Sequence, residues 1–178
     1  GRKREALKLI EDSLEIDAFN IGVTFEKYLL TENVEIRNEI SRLLQSKVHT
    51  YMEYSIDFWS AGLYDEALRL LEITGDSQFP MISYFTGYVY FLKNELEKAK
   101  MHYEKAELLP PDYCFPNKPE EVLVLESAVK LNPNSAKAYY YLGNFWYGAR
   151  QYENAVNCWE NSINLDDKFP TALRNLAL

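Results

Sequence analysis

Cysteine and histidine are scarce in this chain, with two of each in 178 residues. Cys114 and Cys158 form neither a CxxC pair nor a Cys/His ligand spacing, and His49 and His102 have no His, Cys or Asp neighbour at metal-ligand spacing. This excludes the usual zinc patterns and a disulfide framework, and leaves two reduced thiols as small apolar side chains, which implies a cytoplasmic setting. Phosphate-cradling glycine loops and nucleophile elbows are also missing. The adjacent acidic pairs Glu120-Glu121 and Asp166-Asp167 point in different directions on a helix, so they make no shared acid/base site. The expectation is a chain with no catalytic residue, no metal and no cofactor.

Long apolar runs are absent too: none reaches the roughly 18 residues needed to span a bilayer, and no signal-peptide pattern opens the chain. Basic residues are outnumbered 19 to 27, for a net charge of −8, and their one cluster is Arg2-Lys3-Arg4. Such a field opposes phosphate backbones, so neither membrane nor nucleic acid is an expected partner.

Aromatic residues, by contrast, make up 15% of the chain, with fourteen tyrosines spread through it rather than gathered in one box. Their spacing exposes an internal repeat. The segments "YYLGNFWYGARQYENAVNCWENSINLD" (140–166) and "YFTGYVYFLKNELEKAKMHYEKAELLP" (84–110) align without a gap. Gly143 and Gly87 are each followed twelve residues later by an alanine, Ala155 and Ala99, and four later by Trp159 and Tyr103. Ser55, Ala67 and Leu71 stand at the same offsets in a third copy. Stretches such as "LYDEALRLLEI" and "ENAVNCWENSI" carry apolar residues at three- and four-residue spacing, which predicts amphipathic helices, and strand alternation is absent.

The pattern Tyr139-x2-Leu142-Gly143-x2-Trp146 followed by Ala155-x3-Trp159 resembles the tetratricopeptide repeat (TPR). In such a repeat a small residue stands where helices A and B approach closely, and a bulky one wedges B against the next A. Proline twelve residues after the alanine, at Pro111 and Pro133, stops helix B. The fold expected is an all-α, right-handed solenoid of about ten or eleven antiparallel helices.

A single array over 1–178, truncated at both ends, divides into a partial repeat 1–18, a degenerate helix pair 19–47 and repeats 48–79 and 80–111. A loop with an unpaired B helix, 112–134, a repeat 136–169 and a partial repeat 170–178 follow. The unpaired end helices suggest a dimer contact. The irregular part is "LPPDYCFPNKPEE": Glu121 takes the alanine site of its helix, yet lies only 22 residues after Ala99. About one A helix is missing there. Pro119 at the first helical position and Glu120 and Glu121 in the first turn start the next helix, and Tyr113 and Phe115 are expected to plug helix faces left uncovered.

The A helices of such an array line a concave face. The residues assigned to it are Met52, Ile56 and Trp59, then Tyr84, Tyr88 and Phe91, then Tyr140, Asn144 and Tyr147. This groove is aromatic and uncharged. Some tetratricopeptide cochaperones hold a C-terminal carboxylate with Lys, Arg and Asn there; only Asn144 and Lys137 match, so a carboxylate clamp is not expected. The groove is either open to an apolar or proline-containing peptide, or to another domain of the same polypeptide, or else filled by the loop.

Segments including "PPDYCFP" also resemble the repeat region of large bacterial proteins that carry an N-terminal carbohydrate-related domain of unknown function. That resemblance implies an accessory module with glycan or interdomain contact, and brings no catalytic residue with it. The function expected is a non-catalytic scaffold for protein–protein or interdomain contact.

Overall fold

The computed structural model describes residues 1–75 and 77–177. Asp76, within the segment 48–79, and Leu178, within 170–178, lie outside the described residues. Eleven α-helices form among the described residues and no strand does. They fall into two compact units, Gly1–Asp76 and Ser77–Leu178.

The first unit holds α1 (Arg2–Ile16), α2 (Ile21–Thr31), α3 (Val34–Leu43), α4 (Val48–Ser60) and α5 (Tyr64–Glu72). Asn20 and Asn33 start α2 and α3, their side chains accepting from Val23 N at 3.0 Å and Glu35 N at 2.7 Å. α1 packs on α2, α2 on α3, and α4 on α5. Phe25, Ile40, Leu44, Tyr51, Leu70 and Ile73 make the core. The degenerate pair is thus built around Phe25 and Ile40, while the alanine site, Ala67, is fully buried.

The second unit holds α6 (Pro80–Leu92), α7 (Leu96–Leu108), α8 (Pro119–Leu131), α9 (Ala136–Gly148), α10 (Tyr152–Leu165) and α11 (Pro170–Leu176). α6 pairs with α7 and α9 with α10, and α11 packs on α10. The repeat signature explains the pairing. Gly87 lies under the Tyr103 ring and Gly143 under the Trp159 indole, so each glycine lets helix B's aromatic ring lie directly on helix A. Ala99, Ala106 and Ala155 are fully buried.

Three turns between paired helices share one geometry. Gly62, Asn94 and Arg150 each stand seven residues after the small residue of helix A, and all have positive φ, 79°, 60° and 60°. In each, the next amide reaches back to the carbonyl five residues before it: Leu63 to Phe58 at 2.9 Å, Glu95 to Tyr90 at 2.9 Å, Gln151 to Trp146 at 2.8 Å. This is the Schellman closure, which satisfies a carbonyl left over at the helix end. The hairpins resemble those of tetratricopeptide repeats in helix pairing, small-residue contact and turn.

Candidate functional site

The residues assigned to a binding face differ in what they offer. In the first unit Met52 and Trp59 are buried and Ile56 is half-buried. In the second unit Tyr84 is fully buried and Tyr140 nearly so. The Tyr84 ring packs against Tyr103 and Tyr141 at 6.1 and 5.9 Å between centroids, and Tyr140 packs against Phe169 at 4.8 Å. Neither tyrosine presents surface to a partner.

Tyr88 and Phe91, on the same face of α6 as Tyr84, are half-buried and stacked at 6.3 Å. Lys130 of α8 lies over the Phe91 ring at 5.7 Å, and α8 packs against both α6 and α9. So α8 covers the Phe91 end of this face, while Tyr103 of α7 and Tyr141 of α9 cover Tyr84. Lys137, matched to a carboxylate clamp in the sequence, instead donates its ammonium protons to Glu107 O and Leu109 O at 2.6 and 2.5 Å. Burial lowers its pKa, and it is committed to the α7 end.

The loop corrects one expectation. Tyr113 is 89% exposed and Phe115 62% exposed, so they do not plug helix faces; Cys114 and Pro116 point inward instead. With Tyr113 in the left-handed region, φ 57°, the chain turns so that Cys114 alternates into the interior. Its thiol meets the Met81 backbone and the Tyr141 hydroxyl, and burial pushes its pKa up to about 12. Glu121, a carboxylate at the expected alanine site, is buried because it turns back on this loop. Its Oε2 accepts from Asn117 N at 2.6 Å and Lys118 N at 2.8 Å.

Open surface gathers around Tyr147. A cleft of ≈300 Å³ is lined by Tyr147, Tyr152, Val156, Trp159, Asn175 and Leu176. A second hollow of ≈180 Å³ shares Tyr147, Trp159 and Asn175 and adds Phe115 and Asn144. None of these side chains is charged. The floor is rigid: Trp159 Nε1 donates to Asn144 Oδ1 at 3.2 Å, and Asn175 Nδ2 donates to the same oxygen at 2.9 Å. Because an indole N–H can only donate, it fixes which way the Asn144 amide faces. Asn144 Nδ2 is then left buried with no hydrogen-bond partner among the described residues. Tyr147 rises from this floor, 45% exposed, with Tyr152 at 5.4 Å and Trp159 at 5.5 Å from its ring.

Of the nine assigned residues, the structure brings Asn144 and Tyr147 together at an open site. Tyr152, Val156, Asn175 and Leu176 escaped sequence reasoning because they lie on α10 and α11 rather than on an A helix of a full repeat. Trp159 carried a signal, its offset from Gly143, but that offset reads as packing.

Among the described residues, no group of three or more His, Cys, Asp or Glu could hold a metal ion. No helix among them is long and apolar enough to cross a membrane.

No protein-family model matches the chain, and no curated protein matches it. Solved structures do. MamA residues 41 to the end from Desulfovibrio magneticus RS-1 is 22% identical with a TM-score of 0.33, over 73% of this chain and 81% of that one. YrrB, described as a TPR protein with an unusual peptide-binding site, is 16% identical with a TM-score of 0.35, over 95% and 98%. The APC/C hetero-tetramer Cut9-Hcn1 is 13% identical with a TM-score of 0.30, over 98% and 45%. At these identities and scores the likeness extends to no ligand or partner. By its helix pairs and turns, and with eleven helices and no strand among the described residues, the chain has an all-α fold resembling TPR-type helical repeats.

Proposed function

We propose that the chain is a non-catalytic protein-interaction module whose second unit takes an extended peptide segment across Tyr147. The observation that carries this is the pair of hollows sharing one floor of Tyr147, Trp159 and Asn175. Side chains two residues apart in an extended segment, which share one face, would enter the two hollows on either side of Tyr147. Uncharged aromatic walls favour apolar or proline-containing side chains. Tyr84 and Tyr140 shape the scaffold and stay out of contact.

The test is selection of a random-peptide display library on the full chain. The peptides recovered should bind a Tyr147→Ala variant at least about tenfold more weakly and a Tyr113→Ala variant equally well. Selection yielding only peptides indifferent to Tyr147→Ala would remove the proposal.

A further inference from the structure

The charges of α1 run against its own dipole. Arg2, Lys3, Arg4 and Lys8 crowd its first half, where only Glu5 is acidic, and Glu11, Asp12 and Glu15 fill its second half with no base among them. A helix carries positive partial charge at its N-terminal end and negative at its C-terminal end, so this order is the unfavourable one. Like charges also recur one turn apart, Arg4 with Lys8 and Glu11 with Glu15, and such pairs repel. All four of these side chains are exposed, and none makes an ion pair among the described residues.

Beside these charges lies apolar surface. α1 packs on α2, with Ala6, Leu7, Ile10, Ser13 and Leu14 half-buried on one side of the helix and no residue fully buried. Leu9 and Ile16 are seven residues apart, so they lie on one line along the helix, and they are 69% and 89% exposed. Nothing within the first unit covers that line.

We infer that α1 is a self-association surface, which takes a second copy of the chain through that copy's own α1 in antiparallel orientation. Reversing one helix against the other lays the basic half of each on the acidic half of its partner and sets the two dipoles antiparallel. In the register that places Arg4 opposite Glu15 of the second copy, Lys8 falls opposite Glu11, because a step up one helix is a step down the other. Two-fold symmetry makes each pair twice. The Leu9 side chains of the two copies meet at the centre, and each Ile16 reaches the aliphatic stem of Arg2 of the other copy. A partner of uniform charge would be drawn to one half of α1 and repelled by the other, which favours a second copy. This surface belongs to the first unit, so it stands or falls independently of peptide binding at Tyr147.

Sedimentation equilibrium on the full chain tests the inference. At low salt the chain should pass from monomer to dimer between about 10 μM and about 1 mM, and association should weaken at least about tenfold at about 0.5 M salt. Arg4→Glu with Lys8→Glu makes the contact flank acidic along its length, and Glu11→Lys with Glu15→Lys makes it basic. Each change agrees with the helix dipole in the half it alters, so both variants should keep the wild-type circular dichroism. Each alone should associate at least about tenfold more weakly than wild type, and an equimolar mixture of the two should form a heterodimer at least as tight as the wild-type dimer. A wild-type chain that stays monomeric up to about 1 mM overturns the inference. So do variants that each dimerise as well as wild type, or a mixture that recovers no heterodimer. A variant that unfolds contradicts it as well, since its exposed charges would then be holding the fold.

Discussion

Gly143 lies beneath the indole of Trp159 so closely that a Cβ at position 143 would overlap Cδ1 and Nε1 of that ring. Gly87 stands in the same relation to Tyr103, with Ala99 O only 3.1 Å from where its Cβ would be. Gly143→Ala should therefore destabilise by about 1–3 kcal/mol from overpacking, even after the roughly 1 kcal/mol that alanine gains over glycine inside a helix. Urea unfolding reads the cost. A gain in stability would mean that the ring moves aside freely and that the small residue is not required.

The shared turn gives a prediction of opposite sign at two positions. Gly62 has open space around it, so Gly62→Ala should cost about 1–2 kcal/mol from its left-handed backbone alone. Arg150 holds the same conformation with a side chain, and Arg150→Gly should stabilise by about 0.5–1 kcal/mol once glycine's greater unfolded-state freedom is subtracted. Thermal unfolding of both variants checks the equivalence, which equal signs would refute.

Both thiols should resist alkylation in the folded chain. Burial raises Cys114 to about 12 and Cys158 to about 11, so almost no thiolate exists near neutral pH. Intact mass after iodoacetamide treatment at pH 8 should show no adduct without denaturant and two with it. Rapid native labelling of Cys114 would contradict its place against Met81 and Tyr141.

The pH dependence has a defined sign at His102. Its ring stacks on Tyr90 at 5.3 Å, and burial, with Lys105 nearby, holds its pKa below the ordinary 6.5. Lys98 lies over the other partner of that stack, the Tyr90 ring, at 5.2 Å. The unfolded chain takes up the proton first as pH falls, so stability is full above about 6.5 and is lost below it. His102→Gln should lose less stability than wild type between pH 7.5 and 5.5. An identical loss in both chains would place the effect elsewhere.

The helix hairpins were legible in the sequence because small and bulky residues at fixed offsets encode a close contact, as at Gly87 with Tyr103. The seat of α8 was not, since nothing in the spacing of "PEEVLVLESAVKL" says that it packs on α6 as well as α9. Tyr113 and Phe115 misled because their apolar character predicts burial, whereas a left-handed turn at Tyr113 turns Cys114 inward. Tyr84 misled in the opposite sense: the face was read, but its cover was supplied by a later segment of the chain. At Asn94 and Arg150 the left-handed turn was invisible because neither is a glycine.

On the proposed function a partner meets the second unit at the Tyr147 hollows. Amide chemical-shift mapping of a library-selected peptide on the full chain measures this directly. The predicted perturbations centre on Tyr147, Tyr152, Val156 and Asn175. Perturbations centred instead on Tyr88 and Phe91, with α8 still in place, would contradict it.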